Sequence, residues 1–430
     1  MIMHILSMKG KTKKKSIQPI EDAPFLYIPL AEYLGCAPTP VVNVGDKIKK
    51  YQLIGEAKDK FATKVHAPVS GVILETKDYP FADGSSVKTI VIQNDYKDEE
   101  VNDISYKDYN QCSPEELIER IKDAGIVGQG GAQFPTAIKY SVGEHKINTF
   151  IVNGAECEPY LTSDYSLMAE RTEELFKGID IIKKILNADN VIIGIEHQNR
   201  ELLKVFAPYL QQEEHKGYKA ILLPDQYPQG GELQLIKSAT GIELPRSKRP
   251  AEAGIIVSNI GTIYSVYQAV VNHKPVISRI ITISGERSIN YGNYEVKIGT
   301  PIRHITKSLG IETSGNTIVQ GGPMMGKAIQ DLSIPVTKGA SGILFLKKEE
   351  IKRSNCISCG YCVDVCPMRL MPMKFEENYR KKKYFNLEKY SISSCIECAA
   401  CEYICPSNVP LIESIKEGKV KLKELANAIR

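Results

Sequence analysis

Eight of the eleven cysteines in this chain fall in two short runs, C-I-S-C-G-Y-C-V-D-V-C-P from Cys356 to Pro367 and C-I-E-C-A-A-C-E-Y-I-C-P from Cys395 to Pro406. Both read C-x2-C-x2-C-x3-C-P. No other feature limits the fold as tightly. Three thiolates spaced by two residues on one turn can face three irons of a single cube, and the fourth ligand must then arrive from elsewhere. Zinc ribbons also use C-x2-C pairs, but a zinc site closes with four ligands and does not call for two four-cysteine runs each ended by proline.

In two-cluster ferredoxins the last cysteine of each run serves the other cluster, and the two runs resemble that module. On this pattern Cys356, Cys359, Cys362 and Cys405 hold one [4Fe-4S] cluster, and Cys395, Cys398, Cys401 and Cys366 hold the second, in a ferredoxin-like domain over 350–415. Pro367 and Pro406 turn the chain away after each fourth ligand. Cys36, Cys112 and Cys157 are single and scattered, and are read as small core residues.

At 430 residues the chain can hold two to four domains, each with its own core. Its 55 basic and 51 acidic residues leave a net charge of +4, without the concentrated basic face of a nucleic-acid binder, so no nucleic-acid partner is expected. The basic runs Lys9 to Lys15 and Arg380 to Lys383 are read as solvated charge. The N-terminal apolar run is too short for a signal peptide, and no stretch approaches the ~20 apolar residues that span a bilayer. A soluble, cytoplasmic chain is expected, with its cysteines used as ligands rather than disulfides.

Ahead of the clusters the residue pattern changes three times. Residues 25–95 carry short valine- and isoleucine-rich segments between turn glycines, such as V-N-V-G-D-K-I and V-H-A-P-V-S-G-V, which predict a small all-β scaffold domain. Its two segments resemble the halves of the barrel-sandwich hybrid fold of lipoyl and biotinyl domains. Lys58 is not read as a modified lysine, because the biotinyl A-M-K-M tip is missing. Ser113-Pro114-Glu115-Glu116 is a capping box with proline at the first helical position, opening a helix that Gly125 can stop.

The glycine-rich stretch Gly125 to Thr136 follows, with a helix starting near Pro135; a loop of this kind exposes backbone N–H groups to a phosphate or a flat cofactor, or is a simple tight turn. Strands at Thr149–Val152, Val191–Ile195 and Ile255–Ser258 alternate with helices near 165–187, 198–212 and 231–240, which predicts a largely parallel α/β sheet over 110–275. Ligands in such sheets sit beyond the strand C-termini, where Asn153, Glu156 and Glu158 arrive; the two glutamates either meet a ligand or cap the next turn. Residues 279–330 return to short strands around a helix near 301–309, predicting a β-grasp (SLBB-like) domain, with Met324 and Met325 as packing residues. A linker, Lys347 to Ser354, leads to the clusters.

Taken in order, G-E-A-K, V-H-A-P-V-S-G-V, G-I-V-G-Q-G-G-A-Q-F-P-T, I-V-N-G-A-E-C-E-P-Y-L-T-S-D, Y-P-Q-G-G-E-L-Q-L-I, V-S-N-I-G-T, V-Q-G-G-P-M-M-G and the cysteine runs resemble the RnfC family of the Rnf electron transport complex. The middle of the chain is also similar to the flavin-binding subunit of respiratory complex I. That resemblance implies FMN held by Gly128, Gly130 and Lys139. It further implies Asn153 with the catalytic candidates Glu156 and Glu158 at the flavin edge and the nicotinamide, a second loop of Tyr227, Gly230, Gly231 and Glu232, and a third with Asn259 and Thr262. Gln129, Ala155, Gly231 and Ser258 depart from the complex I pattern and remove polar contacts to the nucleotide, so the pattern supports FMN more strongly than NADH. The start of the chain, M-K-G-K-T-K-K-K-S-I-Q-P, lacks the G-G-x-H-P-P segment common in RnfC proteins, and a related proline reductase-associated electron transfer protein shares the architecture.

NADH gives up two electrons as hydride whereas each cubane accepts one, so a flavin is the natural converter between them. The expected function is electron transfer from NADH through FMN to two [4Fe-4S] clusters, as a peripheral subunit on the inner face of the membrane in an ion-translocating ferredoxin:NAD oxidoreductase. Its expected partners are the other subunits of that complex and ferredoxin or a ferredoxin-like subunit. Two alternatives stay open: a soluble partner of an amino-acid reductase, and an iron–sulfur relay that binds no nicotinamide.

Overall fold

The computed structural model describes residues 3–31, 36–101, 107–245, 247–287 and 289–429. The chain opens with a strap rather than with the scaffold domain. Lys9 is buried at 3% exposure and Thr12 is fully buried, whereas Lys11, Lys14 and Lys15 are exposed, so the solvated-charge reading fails at Lys9 and not along the whole run. Lys9 is drawn inward to face Glu196, half-buried Lys13 pairs with Glu201 at 2.8 Å, and Lys11 donates to the Gly285 carbonyl at 3.2 Å. The strap ends in β1 (Ile17–Pro19).

Seven strands then build a small barrel sandwich: β2 (Phe25–Pro29), β3 (Thr39–Pro40), β4 (Lys47–Ile48), β5 (Leu53–Glu56), β6 (Val65–His66), β7 (Gly71–Pro80) and β8 (Ser86–Asn94). They form a sheet in the order β2-β8-β7-β4 and a second in the order β3-β5-β6, all antiparallel. Leu26, Ile28, Ile54, Ile73, Ile90 and Ile92 fill the space between them, each contributing roughly 1.5–3 kcal/mol of apolar burial. Along β8 the consecutive residues Thr89, Ile90, Val91 and Ile92 are all buried, so this strand is covered on both faces. Cys36, read as a core residue, is exposed.

The α/β unit begins with α1 (Pro114–Asp123), whose capping box is complete: Ser113 Oγ accepts from Glu116 N at 3.3 Å and the Glu116 carboxylate accepts from Ser113 N at 2.7 Å. Then come α2 (Thr136–Tyr140), β9 (Thr149–Gly154), α3 (Ser163–Glu170), α4 (Thr172–Leu186), β10 (Asn190–Glu196), α5 (Leu202–Leu210), β11 (Tyr218–Leu223), α6 (Glu232–Thr240), β12 (Ile255–Asn259) and α7 (Ile260–Val270). The sheet runs β11-β10-β9-β12 and every pairing is parallel. Where one helix was expected over 165–187, there are two, because the backbone leaves helical geometry at Arg171. The break frees α3 to aim its N-terminus at the loop after β9 while α4 lies along the main core with α1 and α7.

The β-grasp-like unit is larger than 279–330. Its strands β13 (Ser278–Gly285), β14 (Gly292–Lys297), β15 (Asn316–Gln320) and β16 (Lys327–Ile329), with helix α8 (Ile302–Ser308), are joined by β17 (Gly342–Lys347). The sheet order is β1-β14-β13-β17-β15-β16, so β17 is central and the N-terminal strap supplies an edge. Residues 342–346 pattern as G-I-L-F-L; Ile343, Leu344 and Phe345 are fully buried because both faces of the sheet are covered at β17, Ile343 and Phe345 entering the core of this unit and Leu344 packing with Tyr160 and Leu161 on the other face. The chain ends in the cysteine module, with α9 (Tyr361–Asp364), α10 (Pro372–Arg380), α11 (Phe385–Lys389), α12 (Ala400–Tyr403) and α13 (Leu411–Ile429). Among the described residues no helix is long and apolar enough to cross a membrane.

Candidate functional site

The two cysteine runs fold as copies of one another. Left-handed backbone recurs at Ser358 and Glu397, at Gly360 and Ala399, and at Arg369 and Asn408, which are equivalent positions of the two runs. The N–H···S bonds repeat as well. Ser358 N and Glu397 N donate to the first sulfur of their runs at 3.4 Å each, while Leu370 N and Val409 N donate to the fourth at 3.3 and 3.5 Å. Such donors favour negative charge on sulfur.

One cavity is lined by Cys356, Cys359, Cys362 and Cys405, and a second by Cys366, Cys395, Cys398 and Cys401, the exchanged grouping expected from the sequence. Among the described residues, no group of three or more His, Cys, Asp or Glu is gathered for a single metal ion. Thiols ranged around a chamber fit a cube that fills the space between them. Burial pushes the Cys398 thiol up to about 11 and raises Cys401 further; bound iron would supply the positive charge that holds these sulfurs as thiolates. The two sites differ in depth: Cys398 and Cys401 are buried, whereas Cys356 and Cys359 are exposed beside the exposed Ile357 and Tyr361.

The second constellation lies at the C-terminal ends of the parallel strands. The glycine loop folds back on itself, with Gly128 N donating to Phe134 O at 2.8 Å. Gly130 packs against Asn259: an added Cβ there would come within 2.9 Å of the Asn259 Cβ. Asn153, at the end of β9, donates to the Gly230 carbonyl at 3.0 Å and so ties the first loop to the second. Gly230 sits against the Ala155 carbonyl, where a Cβ would approach to 2.5 Å, and its N–H meets Cys157 Sγ at 3.4 Å. Asn259 caps α7 through Gly261 N at 2.8 Å and donates to Asp164 at 2.6 Å. Thr262 Oγ1 accepts the Gln129 N–H at 2.9 Å. Lys139 and Glu232 pair at 2.9 Å, linking the helix after the glycine loop to the start of α6. Of the residues expected from sequence, the structure thus joins Gly130 to Asn259, Asn153 to Gly230 and Lys139 to Glu232, and sets Thr262 against the glycine loop through Gln129.

Both glutamates have backbone partners. Glu156 accepts from Ser163 Oγ at 3.0 Å and Asp164 N at 3.1 Å, capping α3, and Glu158 accepts from Met324 N at 3.0 Å and Met325 N at 2.9 Å. The expected capping of the next turn describes Glu156, whereas Glu158 reaches a distant turn at Met324 and Met325. Burial, then the Asp164 carboxylate, pushes the Glu156 carboxyl up to about 7 against the pull of Lys9. Two of the departures from the complex I pattern are also engaged internally. Gln129 is buried with its amide on Ser265 Oγ at 2.8 Å, and Ser258 shares a 2.8 Å hydrogen bond with Tyr140 Oη.

The Thr136 hydroxyl, ending the glycine loop, and the Gln229 amide nitrogen, in the Tyr227–Glu232 loop, are buried without a hydrogen-bond partner among the described residues. Buried polar groups nearly always have one. Gln229 and Thr136 were not singled out from the sequence, and neither were Lys9, Asp164 or Arg279. Asp164 closes the long motif that begins at Ile151 and could have been marked from it; Lys9 looked like one member of a charge run.

The two constellations touch. Tyr227 Oη donates to the Cys398 carbonyl at 2.8 Å, and Met3, Tyr227, Val365, Cys398 and Ala400 form one buried group with Cys157 and Met324 packed on it. On α6, Gln234 Nε2 meets Met368 Sδ at 3.4 Å, and Glu243 beyond it pairs with Arg369 at 3.3 Å.

Comparison with known proteins matches this division. Residues 3–97 match the RnfC barrel sandwich hybrid domain, residues 121–268 the Nuo51 FMN-binding domain, and residues 355–409 a 4Fe-4S dicluster domain. The cofactors of this chain are FMN and two [4Fe-4S] clusters. Over 72% of its length the chain superposes on 61% of a chain of an NAD+-reducing [NiFe]-hydrogenase with a TM-score of 0.52 at 19% identity, a likeness of fold. The RnfC-type subunit of the ion-translocating oxidoreductase complex of Haemophilus influenzae is 38% identical over 98% of this chain, which spans 65% of that relative's length. Its counterpart from the ion-translocating oxidoreductase complex of Rhodobacter capsulatus is 37% identical over 98% of this chain and 82% of its own length. The corresponding subunit of the proton-translocating ferredoxin:NAD(+) oxidoreductase complex of Clostridium ljungdahlii is 39% identical over 83% of this chain and 79% of its own. With these identities spread across all its domains, the chain belongs to the RnfC family of ion-translocating oxidoreductase complexes.

Proposed function

We propose that this chain oxidises NADH at FMN held among the loops of the α/β unit and passes the electrons singly through its two [4Fe-4S] clusters. In this reading it is a peripheral subunit, on the inner face of the membrane, of a complex that exchanges electrons with ferredoxin or a ferredoxin-like subunit. The observation that carries it is the direct bond from Tyr227, in a flavin-site loop, to Cys398, a residue of the deeper cluster site. Bound FMN would supply the conversion between a two-electron donor and one-electron acceptors.

In the proposed arrangement Gly128, Gly130, Asn153, Gly230 and Thr262 shape the FMN cradle, and Lys139 with Glu232 closes its mouth. Glu156 and Glu158 act as positioning residues, holding the loop after β9 by backbone hydrogen bonds rather than reacting themselves. The site of Cys366, Cys395, Cys398 and Cys401 would receive electrons first, since Cys398 lies against Tyr227 of the flavin loops. Cys356, Cys359, Cys362 and Cys405 would deliver them to the partner from the exposed side. A second reading, in which electrons reach FMN from another protein, is favoured by the internal engagement of Gln129 and Ser258.

Anaerobic absorbance with iron and FMN measured in the same sample separates the two. About eight irons and one FMN, with flavin absorbance lost on adding NADH, support the first. FMN that dithionite bleaches and NADH does not would sink it in favour of the second.

A further inference from the structure

We propose that Lys9 is a positioning residue: its ammonium, carried in by the N-terminal strap, fixes the Asn153–Glu158 loop in the orientation that faces the cluster module. Lysine is almost never fully buried unless paired, and Lys9 has its partners. It donates to the Glu156 carbonyl and lies 3.5 Å from the Glu196 carboxylate, so one cation joins the loop after β9 to the end of β10. Burial alone would lower its ammonium, but Glu196, Glu156 and Cys157 together raise it, and it stays charged.

The strap is fastened on both sides of this residue. Met3 O accepts from Tyr227 N at 3.0 Å, Ser7 O accepts from Tyr160 N at 2.8 Å, Thr162 Oγ1 donates to Thr12 Oγ1 at 2.9 Å, and β1 extends the sheet beside β14. The same few residues thus touch the flavin loops, the β-grasp-like sheet and, through Met3, the group around Cys398. The loop that Lys9 holds carries Asn153, the Glu156 cap on α3, the Cys157 contact to Gly230 and the Glu158 cap on Met324 and Met325. Moving it moves Tyr227 relative to Cys398.

The groups facing Glu156 are Lys9 from the strap, Ser163 and Asp164 from α3, and Cys157 and Glu158 of its own loop. Glu196 lies beyond Lys9, and Arg279 of β13 and Asn259 lie beyond Asp164. Lys9 is the cation among the first set. Without it the Glu156 carboxyl holds its proton to higher pH, and the cap on α3 loses its charged acceptor near neutrality.

This inference rests on the proposed flavin-to-cluster path, but its test does not use NADH. FMN in wild type and Lys9→Met is reduced by light with EDTA as the electron donor, following flavin bleaching by absorbance and the clusters by electron paramagnetic resonance, from pH 6.5 to 9. In parallel, hydrogen exchange is measured at residues 153–158. The expectation is wild-type FMN and iron content and flavin bleaching in Lys9→Met, with cluster reduction slowed at least tenfold at pH 7 and recovering as pH rises. Exchange of the loop amides should increase at least tenfold, and Lys9→Arg, which keeps the cation, should stay within about twofold of wild type. Unchanged loop exchange in Lys9→Met, cluster rates equal to wild type, a slowing that ignores pH, or loss of FMN would each overturn it. Wild-type clusters that stay oxidised while the flavin bleaches would refute the electron path instead, and loop exchange would still decide the role of Lys9.

Discussion

Tyr227→Phe removes one oxygen from the seam between the flavin loops and the cluster module. The ring stays, so the buried group of Met3, Val365, Cys398 and Ala400 keeps its apolar contact. What is lost is the 2.8 Å bond to the Cys398 carbonyl together with the hydroxyl's contact to the Glu158 carboxylate, at a place where Tyr227 and Cys398 are 5% and 7% exposed. Leaving a buried acceptor without a donor costs about 1–3 kcal/mol, which is roughly a 5- to 150-fold shift in the balance between docked and undocked module. The contacts of Gln234 on α6 with Met368 and of Glu243 beyond α6 with Arg369 are kept. The module should therefore open more often without the protein unfolding. Hydrogen exchange on the cluster-loaded protein reads this directly: peptides over 395–405 should exchange faster by about the same factor, while peptides over 255–270, in β12 and α7, should not change. Equal protection of 395–405 in both proteins would show that the seam is held elsewhere and would refute the assignment of Tyr227 as its bridge.

Cys398→Ser should lower the iron content from about eight to about four atoms and remove the signal of the buried cluster, whereas Cys356→Ser should remove the exposed one and leave the other; iron analysis with electron paramagnetic resonance distinguishes them. Gly130→Ala places a Cβ within 2.9 Å of Asn259, displacing the residue that caps α7, and should weaken FMN binding about tenfold in a fluorescence titration of the flavin-depleted protein. Glu156 is raised from 4.5 to about 7, so the folded state holds a proton that the unfolded chain has released, and stability falls as pH rises from about 4.5 through 7. Glu156→Gln should accordingly raise the melting temperature at pH 8, on the order of 5 °C, and change it little at pH 5; equal shifts at both pH values would contradict the burial argument.

Local patterns that carry their own geometry were readable from the sequence. The spacing of the two cysteine runs calls for a fourth ligand from elsewhere in each site, and their resemblance to two-cluster ferredoxins implies the exchanged grouping. The strands of the α/β unit follow from apolar segments alternating with helical ones, and the capping box at Ser113 closes as its sequence implies. Strand order alone pointed to Asn153, Glu156 and Glu158, because a ligand in a parallel sheet belongs beyond the strand ends; the glycine loop, the Tyr227–Glu232 loop and Asn259, whose strand β12 neighbours β9, were marked by resemblance to the complex I flavin subunit. What depended on contacts distant in sequence was not readable. The central place of β17 is set by pairing with β13 and β15, and Lys9 is buried only because Glu156 and Glu196, more than 140 residues away, surround it. Charge in a run shows only that water can solvate it; whether a particular ammonium stays in water or enters the protein is decided by the carboxylates and carbonyls that the completed fold sets around it.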